Sequence, residues 1–339
     1  MGDEAFDYVI VGAGSAGCVL ADRLTEDGRS TVLVLEYGGS DRSVLIQMPA
    51  ALSIPMNMKA YNWGYVSEPE PFLNHRGMHC PRGKVLGGSS SINGLVYVRG
   101  HPLDFERWEE EGARGWGYRN VLPYFRRAES FRGGADAYRG DSGPLATAPG
   151  AKRNPLYDAF IDAGREAGYT VSADLNGERQ EGFGPLDMTV RGGVRASTAN
   201  AYLRPAMKRR NLEVVTHALA TRIAFEGRRA VGVHYRRAGR EHKASARREV
   251  LLCGGAINSP QLLKLSGIGP AAELGAFAIQ VVADRPGVGE NLQDHLEFTV
   301  QAASKQPITL FSHAGLMARA RIGAEWLMRG KGLGASNHF

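Results

Sequence analysis

Val9-Ile10-Val11-Gly12-Ala13-Gly14-Ser15-Ala16-Gly17 runs an apolar stretch straight into three closely spaced glycines. Phe6 to Val11 reads as a short buried strand, and Cys18 to Leu24 as a helix with Val19, Leu20 and Leu24 available for packing. At that junction the first glycine suits a tight turn. The second lets backbone N–H groups approach a pyrophosphate at the helix N-terminus, and the third allows the helix to lie close to the strand. Thr31 to Leu35 then reads as a second buried strand, ending at Glu36, 19 residues beyond Gly17, where a carboxylate accepts hydrogen bonds from ribose hydroxyls. This is a βαβ unit built to hold a dinucleotide. The fingerprint does not separate FAD from NAD, although its place in the first twenty residues and the Gly38-Gly39 pair lean toward a flavin.

Outward from that unit, residues 40 to 100 are rich in Gly, Pro, Ser and Asn and read as long loops of the kind that serve a ligand. Within them Gly83-Lys84-Val85-Leu86-Gly87-Gly88-Ser89-Ser90-Ser91-Ile92-Asn93 exposes backbone donors that phosphates or a ring edge can use. Phe131 to Gly150 reads as a linker. Asn154-Pro155 reads as an N-cap followed by a first-turn proline, with Leu156, Phe160 and Ala163 forming a face. From Leu212 the pattern turns to short strands, Leu212 to Thr216, Thr221 to Phe225 and Val231 to Tyr235, and predicts a β-meander. Glu249 to Cys253 returns to the buried type and meets Gly254-Gly255. Ser259-Pro260 then starts a helix that Gly267 ends.

The bulk composition, 43% hydrophobic and 22% charged over 339 residues, is that of an ordinary globular chain, long enough for two domains. A formal net charge of +6 raises nucleic acid as a partner, but the basic pairs Arg126-Arg127, Arg209-Arg210 and Arg236-Arg237 are scattered, without interleaved aromatics. They read as solvated faces, with no nucleic-acid partner. Cys18, Cys80 and Cys253 suggest neither a disulfide framework nor a zinc site, and His75, His79 and Cys80 lack a fourth ligand, so no metal is expected. The acidic start and the absence of a long apolar run point to a cytoplasmic protein, soluble or peripheral on the inner face of a membrane.

The Gly83–Asn93 segment, continuing to Tyr97, resembles the first signature of the glucose-methanol-choline oxidoreductase family. Gly255-Ala256, Ser259-Pro260, Leu262-Leu263 and Ser266-Gly267-Ile268-Gly269 resemble the second. Pro286-Gly287-Val288-Gly289-Glu290-Asn291-Leu292-Gln293-Asp294-His295 is similar to a further family segment. The resemblance covers essentially the whole chain.

That resemblance implies an α/β fold: a doubly wound, Rossmann-like FAD-binding domain with an inserted and appended α+β substrate-binding domain, incomplete at the carboxyl end. The expected bounds are 1–145 with 195–300 for the first domain and 146–194 with 301–339 for the second. The implied FAD contacts are Gly12, Gly14, Ser15, Glu36, Arg82, Gly83, Gly87, Gly88, Asn93, Gly94 and Val96, with the backbone of Ala220 against the adenine. Ile92 stands where some relatives carry a flavin-linked histidine, which implies non-covalent FAD. The implied reaction is oxidation of a primary alcohol to an aldehyde, choline to betaine aldehyde foremost, with Glu297 facing the trimethylammonium group and a separate electron acceptor. Aliphatic or aromatic alcohols, or a non-catalytic FAD-binding fragment, are the alternatives. Neither His295 nor His338 matches the family's catalytic histidine. The resemblance implies that this histidine and its asparagine or histidine partner lie beyond Phe339, so no residue of this chain is assigned as the base.

Overall fold

The computed structural model describes residues 5–150, 154–295 and 297–337, which divide into two compact units. In the first unit, β1 (Ala5–Val11) leads through the glycine turn into α1 (Ser15–Thr25) and on to β2 (Val32–Leu35). Later segments add β3 (Leu212–Val215), β4 (Leu219–Glu226), β5 (Arg229–Arg237), β6 (Arg240–Leu252) and α2 (Gly255–Leu265). The strands form one sheet in the order β3-β2-β1-β6-β5-β4. The first four are mutually parallel, and β5 and β4 close the edge antiparallel.

Val9, Leu33, Val215, Ile223, Val233 and Ala246 build one apolar core along this sheet, from residues that alternate in β4–β6 and run continuously in β2. Two expectations change here. Leu212–Val215 is not part of the meander; it pairs with β2 because its buried residues match a parallel neighbour, Leu212 opposite Val32 and Val215 opposite Leu35. The buried face of α1 consists of the small or polar residues Gly17, Cys18, Ala21, Asp22 and Thr25 rather than Val19, Leu20 and Leu24. A helix that must lie close to a strand needs small side chains on that face, as the third glycine does.

In the second unit, strands Val96–Tyr97, Asp187–Met188, Leu145–Pro149 and Glu129–Phe131 form one sheet. That pairing moves the boundary: the compact units are 1–43, 53–92 and 197–299 against 44–52, 93–196 and 300–339, so 93–145 joins 146–196 instead of the first domain. The 131–150 stretch is therefore no linker. Its Arg139 is fully buried, donating to Glu129 Oε1 at 2.8 Å, Asp174 Oδ1 at 2.6 Å and Asp187 Oδ2 at 2.7 Å, and it lies 3.6 Å over the Phe131 ring. Arg99 adds a second guanidinium to Glu129 at 2.6 Å, and the Thr147 hydroxyl donates to the same carboxylate. The Asn154 side chain caps helix Pro155–Glu166 by accepting from the Leu156 N–H at 3.0 Å. Leu156 and Phe160 on that helix are exposed, however, and its buried contact is Gly164. No helix among the described residues is long and apolar enough to cross a membrane.

Candidate functional site

In an open α/β sheet the chain leaves β1 toward β2 on one side and arrives beside it as β6 on the other, so a crevice opens beyond the carboxyl ends of β1 and β6. Hydrogen bonds pin both strand exits: the Gly12 N–H donates to Leu35 O and the Cys253 N–H to Val11 O, each at 2.8 Å. A cavity of about 610 Å³ occupies that crevice, entirely within the first unit.

The walls of this cavity are built by leaving side chains out. Gly12 has φ +97°, and a Cβ there would stand 2.6 Å from the Cys253 carbonyl oxygen. Gly88 has φ +53°, and its Cβ would stand 2.7 Å from Gly14 Cα, so the two glycine loops touch backbone to backbone. The Gly87 N–H donates to Ala13 O at 2.8 Å and holds them together. Helix α1 opens at Gly14 with no acidic residue in its first turn and no side-chain cap, leaving its N–H groups and positive dipole end at the cavity wall.

Glu36 lines the same cavity at the end of β2. Burial pushes its carboxyl up from the ordinary value, opposed by two backbone donors, Gly38 N–H to Oε1 at 2.7 Å and Ala13 N–H to Oε2 at 2.9 Å. Its remaining lone pairs can accept from a diol. Arg82, at the cavity wall, lies 3.5 Å from Asp294. The thiols Cys18 and Cys253 are raised by burial to about 12 and about 11, which keeps them protonated and inert.

Of the sequence-derived residues, Gly12, Gly14, Ser15, Glu36, Arg82, Gly83, Gly88 and Ala220 all line this cavity, and Gly87 stands directly behind it. Asn93, Gly94 and Val96 belong to the second unit. There Asn93 Oδ1 accepts from Arg195 at 2.8 Å, Gly94 O accepts from Asn337, and Val96 is exposed on its strand. Glu297 lies in an exposed stretch without regular structure, outside the cavity lining, and makes no ion pair among the described residues. His295 is exposed too. His338 and Phe339, the residue beyond which the catalytic histidine and its partner were expected, lie outside the described residues. Among the described residues that line the cavity there is no histidine, so no base is assigned. Among the described residues no three His, Cys, Asp or Glu side chains gather to hold a metal.

Sequence reasoning missed an aromatic wall. Tyr37, Trp63 and Tyr65 line the cavity with ring centroids 5.0 and 5.8 Å apart, and the Tyr65 hydroxyl bonds Asn258 on the first turn of α2. The alternation Trp63-Gly64-Tyr65 was the available signal, since residues two apart share a face.

The residues present fit a flavin adenine dinucleotide: backbone donors for phosphates, a buried acid for ribose, small apolar walls for adenine. The sequence profile of GMC oxidoreductases matches residues 6–297. The chain belongs to the GMC oxidoreductase family. Within that family it is 58% identical over 334 residues to an oxygen-dependent choline dehydrogenase from Brucella anthropi, covering 98% of this chain and 60% of that one. Among solved structures it is similar to pyridoxine 4-oxidase from Mesorbium loti, with TM-score 0.79, 36% identity, and 83% of this chain covered against 55% of that one. Formate oxidase gives TM-score 0.89 at 27% identity, over 98% of this chain and 60% of that one. The chain thus spans about 60% of the length of the GMC relatives it matches.

Proposed function

We propose that this chain forms the FAD-holding part of an alcohol oxidoreductase that converts choline to betaine aldehyde and passes the electrons to a separate acceptor. The observation that carries the reading is the cavity where two glycine loops meet beside a buried acid, at the sheet's switch point. When bound there non-covalently, FAD supplies the hydride acceptor for oxidation of a CH–OH group.

The chain's own residues bind and orient. The Gly14–Ser15 amides and the dipole of α1 take the pyrophosphate, Glu36 takes a ribose, and Ala220 offers backbone to the adenine, on the same argument as the cavity lining. Asn93, Gly94 and Val96 are proposed at the ring end because they continue the Gly83–Ile92 loop. Glu297 is proposed as the anion for the quaternary ammonium. Such a cation has no N–H to donate, so charge must recognise it, and a carboxylate about 4 Å away gains about 4 kcal/mol at an effective dielectric near 20. The exposed Glu297 carboxylate, without an ion pair among the described residues, has its charge available. Peripheral attachment to a membrane belongs to the same reading.

The purified chain is titrated with FAD, and saturable quenching of flavin fluorescence is expected, shifted to higher FAD concentration in Gly88→Ala. Failure of the wild type to take up flavin sinks the reading. Anaerobic reduction of the bound flavin, in the protein joined to a relative's carboxyl-terminal portion, then ranks choline, its uncharged dimethylbutanol isostere and pyridoxine. Choline is expected to lead, and Glu297→Gln to erase its lead over the isostere. A neutral alcohol leading in the wild type replaces the substrate assignment without touching the FAD site.

A further inference from the structure

The formal charge of the whole chain is +6, and the 34 residues from Leu219 to Leu252 hold nine of its 41 lysines and arginines but only three of its 35 acids. Their excess is also +6, so the rest of the molecule is neutral and the β4–β6 meander carries its entire charge imbalance. All nine cations are exposed. Arg236 pairs with Glu241, and Arg247 and Arg248 lie within 4 Å of Asp7, yet Arg222, Arg228, Arg237, Arg240 and Lys243 have no ion-pair partner among the described residues.

Register explains the arrangement. Ile223, Val233 and Ala244 stand opposite one another on the buried face of the meander. Their neighbours Arg222, His234 and Lys243 are likewise aligned across the three strands, and by the alternation of a strand they occupy the opposite face. Arg236 shares that face, whereas Arg237 and Arg240, opposite each other beside the hairpin turn, have the parity of Val233 and Ala244 and stand exposed at the end of the ribbon. The ribbon also overhangs the parallel sheet, because β6 pairs with β5 only as far as Ser245 and with β1 only from there on.

We propose that the exposed outer face of the meander, together with its Arg237–Arg240 hairpin end, docks on an anionic phospholipid bilayer. The step rests on the peripheral-attachment reading for its occupant and adds the surface that makes the contact. Eight of the nine cations are arginines, whose planar forks suit phosphate oxygens. No large hydrophobic side chain is exposed anywhere in 219–252, so the contact is electrostatic, without the aromatic platforms that single-stranded nucleic acid stacks on.

Flotation with vesicles of equal parts phosphatidylglycerol and phosphatidylcholine tests this, against vesicles of phosphatidylcholine alone. The wild-type chain is expected to float with the first only and to be released as salt rises toward 1 M, where the Debye length falls to about 3 Å. The variant Arg237→Gln/Arg240→Gln/Lys243→Gln should bind about 100-fold more weakly, from about 5-fold per charge. A control with the same charge removed from exposed sites elsewhere, Arg114→Gln/Arg119→Gln/Lys208→Gln, should lose far less. Thermal melting and flavin uptake should match the wild type in both variants.

Equal losses in the two variants overturn the surface assignment while leaving attachment standing, and no binding by the wild type overturns both. Tighter binding to duplex DNA or RNA than to vesicles at the same salt replaces the bilayer by nucleic acid. Release by inorganic phosphate beyond that by chloride of matched ionic strength makes free phosphate the ligand. Each of the last two outcomes overturns the proposal, and none of them bears on the FAD site.

Discussion

The two units solve the problem of a buried polar centre in opposite ways. The first keeps its crevice polar with backbone, removing side chains at Gly12, Gly14 and Gly88 so that main chain forms the wall, with one carboxylate, Glu36, held by the amides of Ala13 and Gly38. The second fills its centre with charge, setting Arg99 and Arg139 against Glu129, Asp174 and Asp187. A backbone-lined cavity can accept a ligand, whereas a saturated ionic centre can only hold strands and loops together. Substitutions should therefore separate the units cleanly: added volume damages ligand binding in the first, and lost charge damages folding in the second.

The largest effect is expected at Arg139. Arg139→Met leaves Glu129 and Asp187 buried without their main counter-charge, and breaking such a centre from one side costs about 3–5 kcal/mol. Chemical denaturation should show that loss, with partial recovery when Glu129→Gln is added. A cost below about 1 kcal/mol would mean that apolar packing, not charge, organises the second unit.

Next in size is Gly88→Ala. Its methyl group would meet Gly14 Cα at 2.7 Å from a backbone conformation unfavourable to alanine, at a strain of about 1–3 kcal/mol. FAD affinity should fall by one to two orders of magnitude in a fluorescence titration, with little change in the far-ultraviolet circular dichroism. Unchanged affinity would detach the glycine contact from cofactor binding.

The smallest expected change is chemical and local. With pKa values near 12 and 11, Cys18 and Cys253 present under about one thiolate in a thousand at pH 8, and the fraction grows tenfold per pH unit above that. Iodoacetamide followed by peptide mass spectrometry should label the partly exposed Cys80 first. Raising the pH toward 10 should bring in Cys253 before Cys18, because Cys18 is also fully buried. Early labelling of Cys18 would show that α1 opens readily.

What the sequence made legible follows the same division. The glycine site was readable because its physics is local: a turn, a helix start and an acid at the end of the next strand lie within residues 9–36, and Gly83–Gly88 announces itself by composition. The ionic centre was not, because Arg139 meets Asp174 and Asp187 from 35 and 48 residues away, and a stretch rich in Gly, Ala and Arg looks like a linker until its partners are in place. The parallel pairing of Leu212–Val215 with β2 escaped for the same reason, since nothing near it in sequence marks the distant strand. Trp63 and Tyr65 were visible as residues, but their stacking against Tyr37 depends on a loop path that periodicity does not encode.

Ser245 is where the two halves of the large sheet share a residue, opposite Ala5 on one side and Gly232 on the other. A slip of β6 by a single position would turn Lys243 inward and Ala244 outward, and would also shift the Cys253 carbonyl that sits beneath Gly12. The hairpin at Ala238-Gly239 thus acts as an alignment pin for the nucleotide crevice. Lengthening that turn by one residue should disturb both ends of the strand together.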